Sequence, residues 1–306
     1  MRSILLTALL AVASVSAAGQ VIGDVREAIA DRDFAHAEKY IQNYRAKNGV
    51  TPEMLEALSW LGRGELDANQ YDQAERHAAE TRKLALQELA RRRMDDERHL
   101  PIALGASIEV HAQVLAARGA RGEAILFLRQ ELAAYRNTSI GTRIQKNINL
   151  LTLEGKPAPP LDVAQWLGRK PVPLTQLKGR PVLLFFWAHW CGECKAEVPE
   201  LARLMAQYQS KGLVLIGPTQ HYGYIAGGDD ASRDEETRYI DAVRNRYYAA
   251  LPGMSVPVSE ENFQRFGAST TPTLVLVDRQ GIVRWYHPGA MLYPELASKL
   301  AEIAGN

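Results

Sequence analysis

An unbroken apolar run that leads at once into two cysteines is the feature that most restricts how this chain can fold. Residues 181–187 (PVLLFFW) carry no charge, which predicts a strand buried on both faces of a sheet. Cys191 and Cys194 follow within the stretch WCGEC. The residues after them have helical spacing, so a helix is expected to begin at the cysteines and to bury one face, made of Val198, Leu201, Leu204, Met205 and Tyr208.

The remaining elements of this half follow from similar patterns. Residues 212–217 (GLVLIG) predict a second parallel strand, and residues 273–277 and 282–287, separated by the turn DRQG, predict an antiparallel hairpin. A last helix is expected from about Pro294, with Leu296, Leu300 and Ile303 on one side. The order β-α-β, a further helix, then β-β-α is the layout of an α/β thioredoxin fold.

The first half has a different character. Residues 20–153 are rich in Ala, Leu, Arg and Glu with almost no proline, which predicts an all-α helical-repeat domain. Three segments resemble one another, and each places an alanine where a second helix would pack closely against a first: Ala37, Ala74 and Ala124. These segments resemble degenerate tetratricopeptide repeats, although their spacing is uneven. An ordinary helical bundle would give the same pattern, and both readings stay open.

Two further segments complete the predicted organisation. Residues 154–162 (EGKPAPPLD) cannot continue a helix and predict a proline-rich linker, followed by the thioredoxin-like domain at 163–306. Residues 1–18 combine Arg2, an apolar run and small residues near Ala17 and Ala18, the layout of a cleavable signal peptide. The apolar run is short for a membrane span. We therefore expect an exported protein, soluble in the periplasm after cleavage.

Charge and cysteine content narrow the function. Lys and Arg total 36 against 35 Asp and Glu, so no global field attracts nucleic acid or an anionic membrane. The chain has only two cysteines, three positions apart. A disulfide across so short a loop removes little entropy from the unfolded chain, so stability explains the pair poorly. Thiol-disulfide exchange explains it better.

The position of the cysteines fits that chemistry. A sulfur at the start of a helix lies near backbone N–H groups without intrahelical acceptors, which favours the reactive thiolate at Cys191. Cys194, one turn further, can resolve a mixed disulfide formed at Cys191. Pro199 is expected to kink this helix. The Thr271–Pro272 bond is of the X-Pro kind that can be cis, and the sequence does not fix the isomer.

Residues 155–306 resemble the TlpA- or ResA-like thioredoxin-fold thiol-disulfide oxidoreductases. The resemblance rests on FFWAHWCGECKAEVPEL, on the later TTPTLVLVD and on KPAPPLDV, the segment that leads into the domain. The resemblance implies the catalytic set: Cys191 as attacking thiol, Cys194 as resolving thiol, Pro272 as the cis proline, Glu197 as the acidic group that influences their titration, and Trp190 of the W-C-x-x-C motif. It implies no cofactor. It implies as partners a disulfide-bearing client protein and a separate membrane or periplasmic thiol reductase as electron donor, with protein docking on the helical domain.

Three departures from the family pattern limit how far the family's roles apply to these residues. Phe185 stands where cytoplasmic thioredoxins carry a buried Asp. Glu193, between the cysteines, opposes thiolate formation and favours a reductant over an oxidant, whereas His189 acts the other way when protonated. The segment 219–236 lengthens the chain between Cys191 and Pro272 and is expected to lie near the active site. It either selects a docking protein or is a surface insertion without a role.

Alternative functions use the same residues. Two thiolates with His189, His221 or His287 could carry copper or zinc, although a closed zinc site needs four ligands. A peroxidase would need a P-x-x-x-T-x-x-C context, which is absent. A helical-repeat adaptor with an inactive redox half is opposed by the intact W-C-x-x-C and T-P motifs.

Overall fold

The computed structural model describes residues 13–304, and it describes side chains for residues 20–303. The chain forms two compact units, Met1–Ile144 and Gln145–Asn306. The division falls within helix α7 (Gly141–Thr152), ahead of the predicted linker. Most of the predicted signal peptide, residues 1–12 of 1–18, lies outside the described residues.

The first unit is helical, as the sequence predicts. Each helix packs against the next along the chain, and α1, α3 and α5 also pack in succession. The side-chain oxygens of Asp33 and Thr51 cap the N-termini of α2 and α3 by accepting backbone N–H groups. The helices are α1 (Ala13–Ala30), α2 (Phe34–Asn48), α3 (Pro52–Asp67), α4 (Tyr71–Leu89), α5 (His99–Ala117) and α6 (Arg121–Tyr135).

The same turn recurs between α1 and α2, α3 and α4, and α5 and α6. In each turn the residue two positions before the second helix has a positive φ, namely Arg32 at 58°, Asn69 at 60° and Gly119 at 86°. The next N–H donates to the carbonyl five residues earlier, a bond that closes the end of the first helix. The three predicted alanines, Ala37, Ala74 and Ala124, are fully buried in the second helices. The unit is therefore built from three similar helical hairpins, and its tetratricopeptide character stays a prediction.

One helix in the part of the chain that the structure describes, α5, is long and apolar enough to cross a membrane by length and composition alone. Its mean hydropathy is 1.4, and 56% of it is buried inside the unit. It packs against α3, α4 and α6. These contacts identify α5 as the core helix of the unit, and such helices commonly satisfy the same test.

The second unit contains a mixed sheet in the order β1-β4-β3-β2-β5-β6, which confirms the thioredoxin fold. β2 is parallel to β3, and β3 to β4, while β5 runs antiparallel to both β2 and β6. The strands are β1 (Trp166–Gly168), β2 (Val182–Phe186), β3 (Val214–Ile216), β4 (Ser255–Pro257), β5 (Thr273–Val277) and β6 (Val283–Pro288). The helices are α8 (Gly192–Ala196), α9 (Val198–Tyr208), α10 (Arg233–Tyr247), α11 (Glu260–Phe266) and α12 (Tyr293–Ala304).

Strand β2 is buried on both faces, as predicted. Leu183 and Phe185 point into a core shared with α9, α10 and α12. Val182, Leu184 and Phe186 point into the opposite core, which α11 covers. Phe185, at the position of the missing Asp, packs against the ring of Tyr248 with centroids 6.2 Å apart. The cysteines follow shortly after the C-terminal end of this strand.

The helix after the cysteines differs from the prediction. Instead of one helix kinked at Pro199, the structure has two, α8 and α9, joined at Glu197. Pro199 occupies the second position of α9, where a missing N–H leaves no intrahelical bond unmade. The predicted buried face of α9 is confirmed for Val198, Leu201, Leu204 and Tyr208, with Met205 partly buried beside them.

The proline-rich segment 154–162 lies in the second unit, where its backbone bonds to the β5–β6 hairpin. The N–H of Gly155 donates to the carbonyl of Val283 (2.8 Å), and the N–H of Val283 donates to Lys156 (2.9 Å). The N–H of Ala158 donates to Gly281 (2.9 Å). The segment predicted as a linker is thus fixed along the edge of the hairpin.

Candidate active site

The segment between β2 and the cysteines is anchored to the neighbouring strand. Trp187 is fully buried, and its Nε1 donates to the carbonyl of Gly217 at 2.9 Å. In return the hydroxyl of Thr219 donates to the carbonyl of Trp187 at 2.8 Å. These bonds tie the ends of β2 and β3 together, so the cysteines begin from a fixed position.

Cys191 and Cys194 form a disulfide in the structure. Cys191 is the N-cap of α8, and its Sγ accepts the backbone N–H of Cys194 at 3.0 Å. Cys191 is 3% exposed and Cys194 is fully buried, so an incoming group meets Cys191 first. An N–H directed at a sulfur favours its negative form once the disulfide is reduced. Cys191 is thus the more accessible of the two sulfurs, and the assignment of attacking and resolving thiols stays a prediction.

Pro272 lies beside the disulfide. The Thr271–Pro272 peptide bond is cis, and the carbonyl oxygen of Thr271 lies 3.5 Å from Cys191 Sγ. Pro272 directly precedes β5, which pairs with β2, so sheet register brings it to the cysteines. Trp190, which directly precedes Cys191, is 49% exposed. The structure therefore brings together four of the five predicted site residues beside the C-terminal end of β2.

The fifth residue, Glu197, is buried at the junction of α8 and α9. Its Oε1 accepts the N–H of Met291 at 3.0 Å, whereas its Oε2 is buried with no hydrogen-bond partner among the described residues. Burial raises the pKa of Glu197 to about 7, against the opposing effect of the Met291 bond and with help from the nearby charges of Glu193 and Glu200. Near neutral pH this carboxyl is therefore partly protonated.

His189 is buried just before the cysteines. Its Nε2 lies 3.1 Å from Oε1 of Glu236, and both side chains are 1% exposed. Burial lowers the pKa of His189, although Glu236 partly offsets that effect. The neutral imidazole is thus favoured, which weakens the positive charge that His189 could supply to the cysteines. Three tyrosine rings, Tyr222, Tyr224 and Tyr239, meet the imidazole edge-on at 5.3–5.5 Å.

The predicted insertion lies next to the active site. We call residues 220–231 the tyrosine loop. It folds back on itself, because the N–H of Ile225 donates to Asp229 (2.9 Å) and that of Ala231 donates to Gly223 (3.0 Å). The ring of Tyr222 meets that of Trp190 at 5.5 Å. The expectation that the insertion approaches the active site is confirmed.

The histidines proposed as metal ligands have other contacts. His221 Nε2 lies 2.8 Å from the hydroxyl of Thr237, and the ring of His287 stacks on Trp285 with centroids 5.1 Å apart. Among residues 20–303, whose side chains the structure describes, no three His, Cys, Asp or Glu side chains are grouped so as to hold a metal ion.

Comparison with known proteins places this site in a family. The AhpC/TSA family matches residues 155–220. The thiol:disulfide interchange protein DsbE of Xylella fastidiosa is 32% identical over 154 residues, which are 49% of this chain and 69% of that protein. The chain belongs to the thiol-disulfide oxidoreductase family. The oxidoreductase ResA of Oceanobacillus iheyensis is 35% identical over 144 residues, 46% of this chain and 67% of that protein.

A solved thiol-disulfide isomerase from Corynebacterium glutamicum matches 50% of this chain and 98% of its own, with 17% identity and a TM-score of 0.41. In the present chain, which belongs to the thiol-disulfide oxidoreductase family, the Cys191–Cys194 pair fits a C-x-x-C redox site.

Reasoning from the sequence missed Glu236 and Tyr239, because neither lies near the cysteines along the chain. The density of tyrosines in the insertion was the only signal that pointed to them.

Proposed function

We propose that the reduced form of this oxidoreductase reduces disulfides in other proteins outside the cytoplasm. The Cys191 thiolate attacks one sulfur of the client disulfide, whose S–S bond breaks as a mixed disulfide forms and a client thiolate leaves and takes up a proton. Cys194, as its thiolate, then attacks Cys191 Sγ. The client leaves with two thiols, having gained two electrons, and the enzyme holds the Cys191–Cys194 disulfide.

The observation that carries this proposal is the environment of Cys191 Sγ. The sulfur accepts the N–H of Cys194, lies 3.5 Å from the carbonyl of Thr271 and sits beside the half-exposed ring of Trp190. A client segment can reach this sulfur along the backbone before Pro272. We assign Cys191 the attack, Cys194 the resolution, and Trp190 and Pro272 contact with the client.

Glu197 completes the proposed set. A buried carboxyl whose pKa lies near 7 can hold or release a proton at neutral pH while the thiols titrate. Its burial three positions after Cys194 makes it the acid that influences the pair.

We propose the reducing direction. Glu193 is exposed between the cysteines, and its negative charge opposes the thiolate. The lowered pKa of His189 removes one compensating positive charge beside the cysteines. A dithiol reductase, in the membrane or the periplasm, would supply the electrons. We propose a periplasmic location on the basis of the predicted cleavage of residues 1–18.

Trapping tests the proposal. Cys194→Ser removes the resolving thiol, so Cys191 should accumulate mixed disulfides with its clients, visible as adducts that dithiothreitol releases. Cys191→Ser is the matched control, with the same substitution at the other sulfur, and should give none. Reduction of insulin by the wild-type protein should disappear in Cys191→Ser. If that variant reduced insulin as well as the wild type, the assignment of the attacking thiol would be wrong.

A further inference from the structure

The tyrosine loop is fixed to the protein through one buried side chain, Glu236. Its Oε1 accepts the backbone N–H of Tyr222 at 2.6 Å, and its Oε2 accepts that of Gly223 at 2.9 Å. The same Oε1 lies 3.1 Å from His189 Nε2. One carboxyl group in the first turn of α10 thus joins the base of the loop to the residue that precedes Trp190.

The loop in turn builds part of the surface around the reactive sulfur. The Tyr222 ring packs edge-on against both His189 and Trp190, at 5.5 Å in each case. Trp190 is 49% exposed and directly precedes Cys191. A client protein that brings a disulfide to Cys191 therefore meets Trp190 and the loop together.

We propose that Glu236 is a positioning residue that holds the tyrosine loop against Trp190, and that the surface formed by Trp190 and this loop selects protein disulfides over small ones. This inference rests on the proposed function. A protein contacts both Trp190 and the loop, whereas a small disulfide spans little more than the surroundings of the sulfur. Fixing the loop in advance removes the entropy that a large partner would otherwise lose by ordering it on binding.

The chemistry of Glu236 makes this role sensitive to a single atom. A carboxylate accepts hydrogen bonds at both oxygens, whereas the amide of glutamine accepts at one and only donates at the other. Glu236→Gln therefore leaves the N–H of Tyr222 or of Gly223 facing a donor. Leaving one buried N–H unpaired shifts the equilibrium between the fixed and the released loop by about tenfold or more toward the released form.

The test compares two disulfides with the full-length protein. The protein is reduced with dithiothreitol, desalted, and oxidised by insulin or by oxidised glutathione, and the second-order rate constant of this single oxidation is obtained for each disulfide. In Glu236→Gln the ratio of the insulin value to the glutathione value should fall about tenfold. The control is Asp234→Asn, the same change at an exposed carboxyl two residues earlier on α10. Its ratio should match the wild type.

Hydrogen-deuterium exchange gives a readout that does not depend on activity. Residues 220–231 should exchange faster in Glu236→Gln, while β2 keeps its wild-type protection. A wild-type ratio in a variant with a released loop would overturn the inference, as would unchanged exchange in the loop. An equal fall in both rate constants would also overturn it, since a general loss of structure predicts that result.

A second variant covers the case in which Glu236→Gln unfolds. Tyr222→Leu removes the ring that meets Trp190 and leaves Glu236 in place, so its ratio should fall in the same direction, and a wild-type ratio would refute the inference. Failure of the proposed function looks different. The reduced wild-type protein would then reduce neither insulin nor glutathione, whatever residue stands at position 236.

Discussion

The pKa of Glu197 yields a quantitative prediction for the stability of the second unit. Burial raises this pKa from 4.5 to about 7, so the folded protein prefers the neutral carboxyl. A carboxyl with a raised pKa contributes stability that is fully present below its unfolded value and is lost as the pH rises through its folded value. The free energy of unfolding should therefore fall between about pH 4.5 and 7 on account of this residue.

The size of the effect follows from the two pKa values. A full shift from 4.5 to about 7 is worth about 3 kcal/mol, of which about 2.5 kcal/mol falls between pH 5 and pH 8. Glu197→Gln removes the titration and keeps an oxygen that can accept the N–H of Met291. Relative to the wild type, the variant should gain about 2.5 kcal/mol of unfolding free energy on going from pH 5 to pH 8.

Urea unfolding of the oxidised protein measures this difference. Trp60 is the only tryptophan of the first unit, so in a Trp60→Phe background the fluorescence of the other four reports on the second unit. Glu295→Gln, at an exposed position of α12, is the control and should follow the wild type at both pH values. If the Glu197→Gln and wild-type curves differed by the same amount at pH 5 and pH 8, the raised pKa would be refuted.

Two further predictions concern glycine and histidine. Gly267 has φ of 62°, and a Cβ there would lie 2.4 Å from the backbone nitrogen of Lys146, so Gly267→Ala should cost clearly more than the roughly 1 kcal/mol of positive φ alone. Gly179→Ala, at φ of 89° with open space around it, gives that smaller cost in the same thermal unfolding assay. His189 should titrate below 6.5 in an NMR pH series, and its contribution to stability should be lost as the pH falls through its folded pKa. A His189 pKa at or above 6.5 would contradict its burial against the tyrosines.

The elements that the sequence predicted well are those whose patterns are local. Strand β2 takes up five of the seven residues in the apolar run 181–187, and the buried face of α9 follows a helical period. The β5–β6 hairpin follows from a turn between two apolar runs. In each case one segment of chain contains the whole signal.

The short strands β1 and β4 could not be predicted in this way. Trp166–Gly168 and Ser255–Pro257 have three residues each, too few to show an alternation, and they become strands because they pair with each other at the edge of the sheet. For a related reason the sequence predicts a kink at Pro199, where the structure instead has two separate helices, α8 and α9. Pro199 marks the region, but only packing decides whether a helix bends or restarts.

Candidate site residues divide in the same way. The spacing of Cys191 and Cys194 indicates a redox pair, and the resemblance to the family adds Pro272 through its T-P motif. Glu236 stands directly after Asp234 and Glu235 and differs from them only in being buried. Its burial results from the path of the tyrosine loop, which no local pattern records.

The three matching turns of the helical unit have a consequence for which sequence changes its hairpins tolerate. Each turn closes with the same backbone geometry whichever residue has the positive φ, including Arg32 and Asn69, where glycine is more usual. The connections between hairpins differ instead, since three residues join α2 to α3 and nine join α4 to α5. The unit thus repeats its geometry inside each hairpin and varies it between them, and substitutions at the three turns should leave the path of a hairpin unchanged as long as a positive φ is kept.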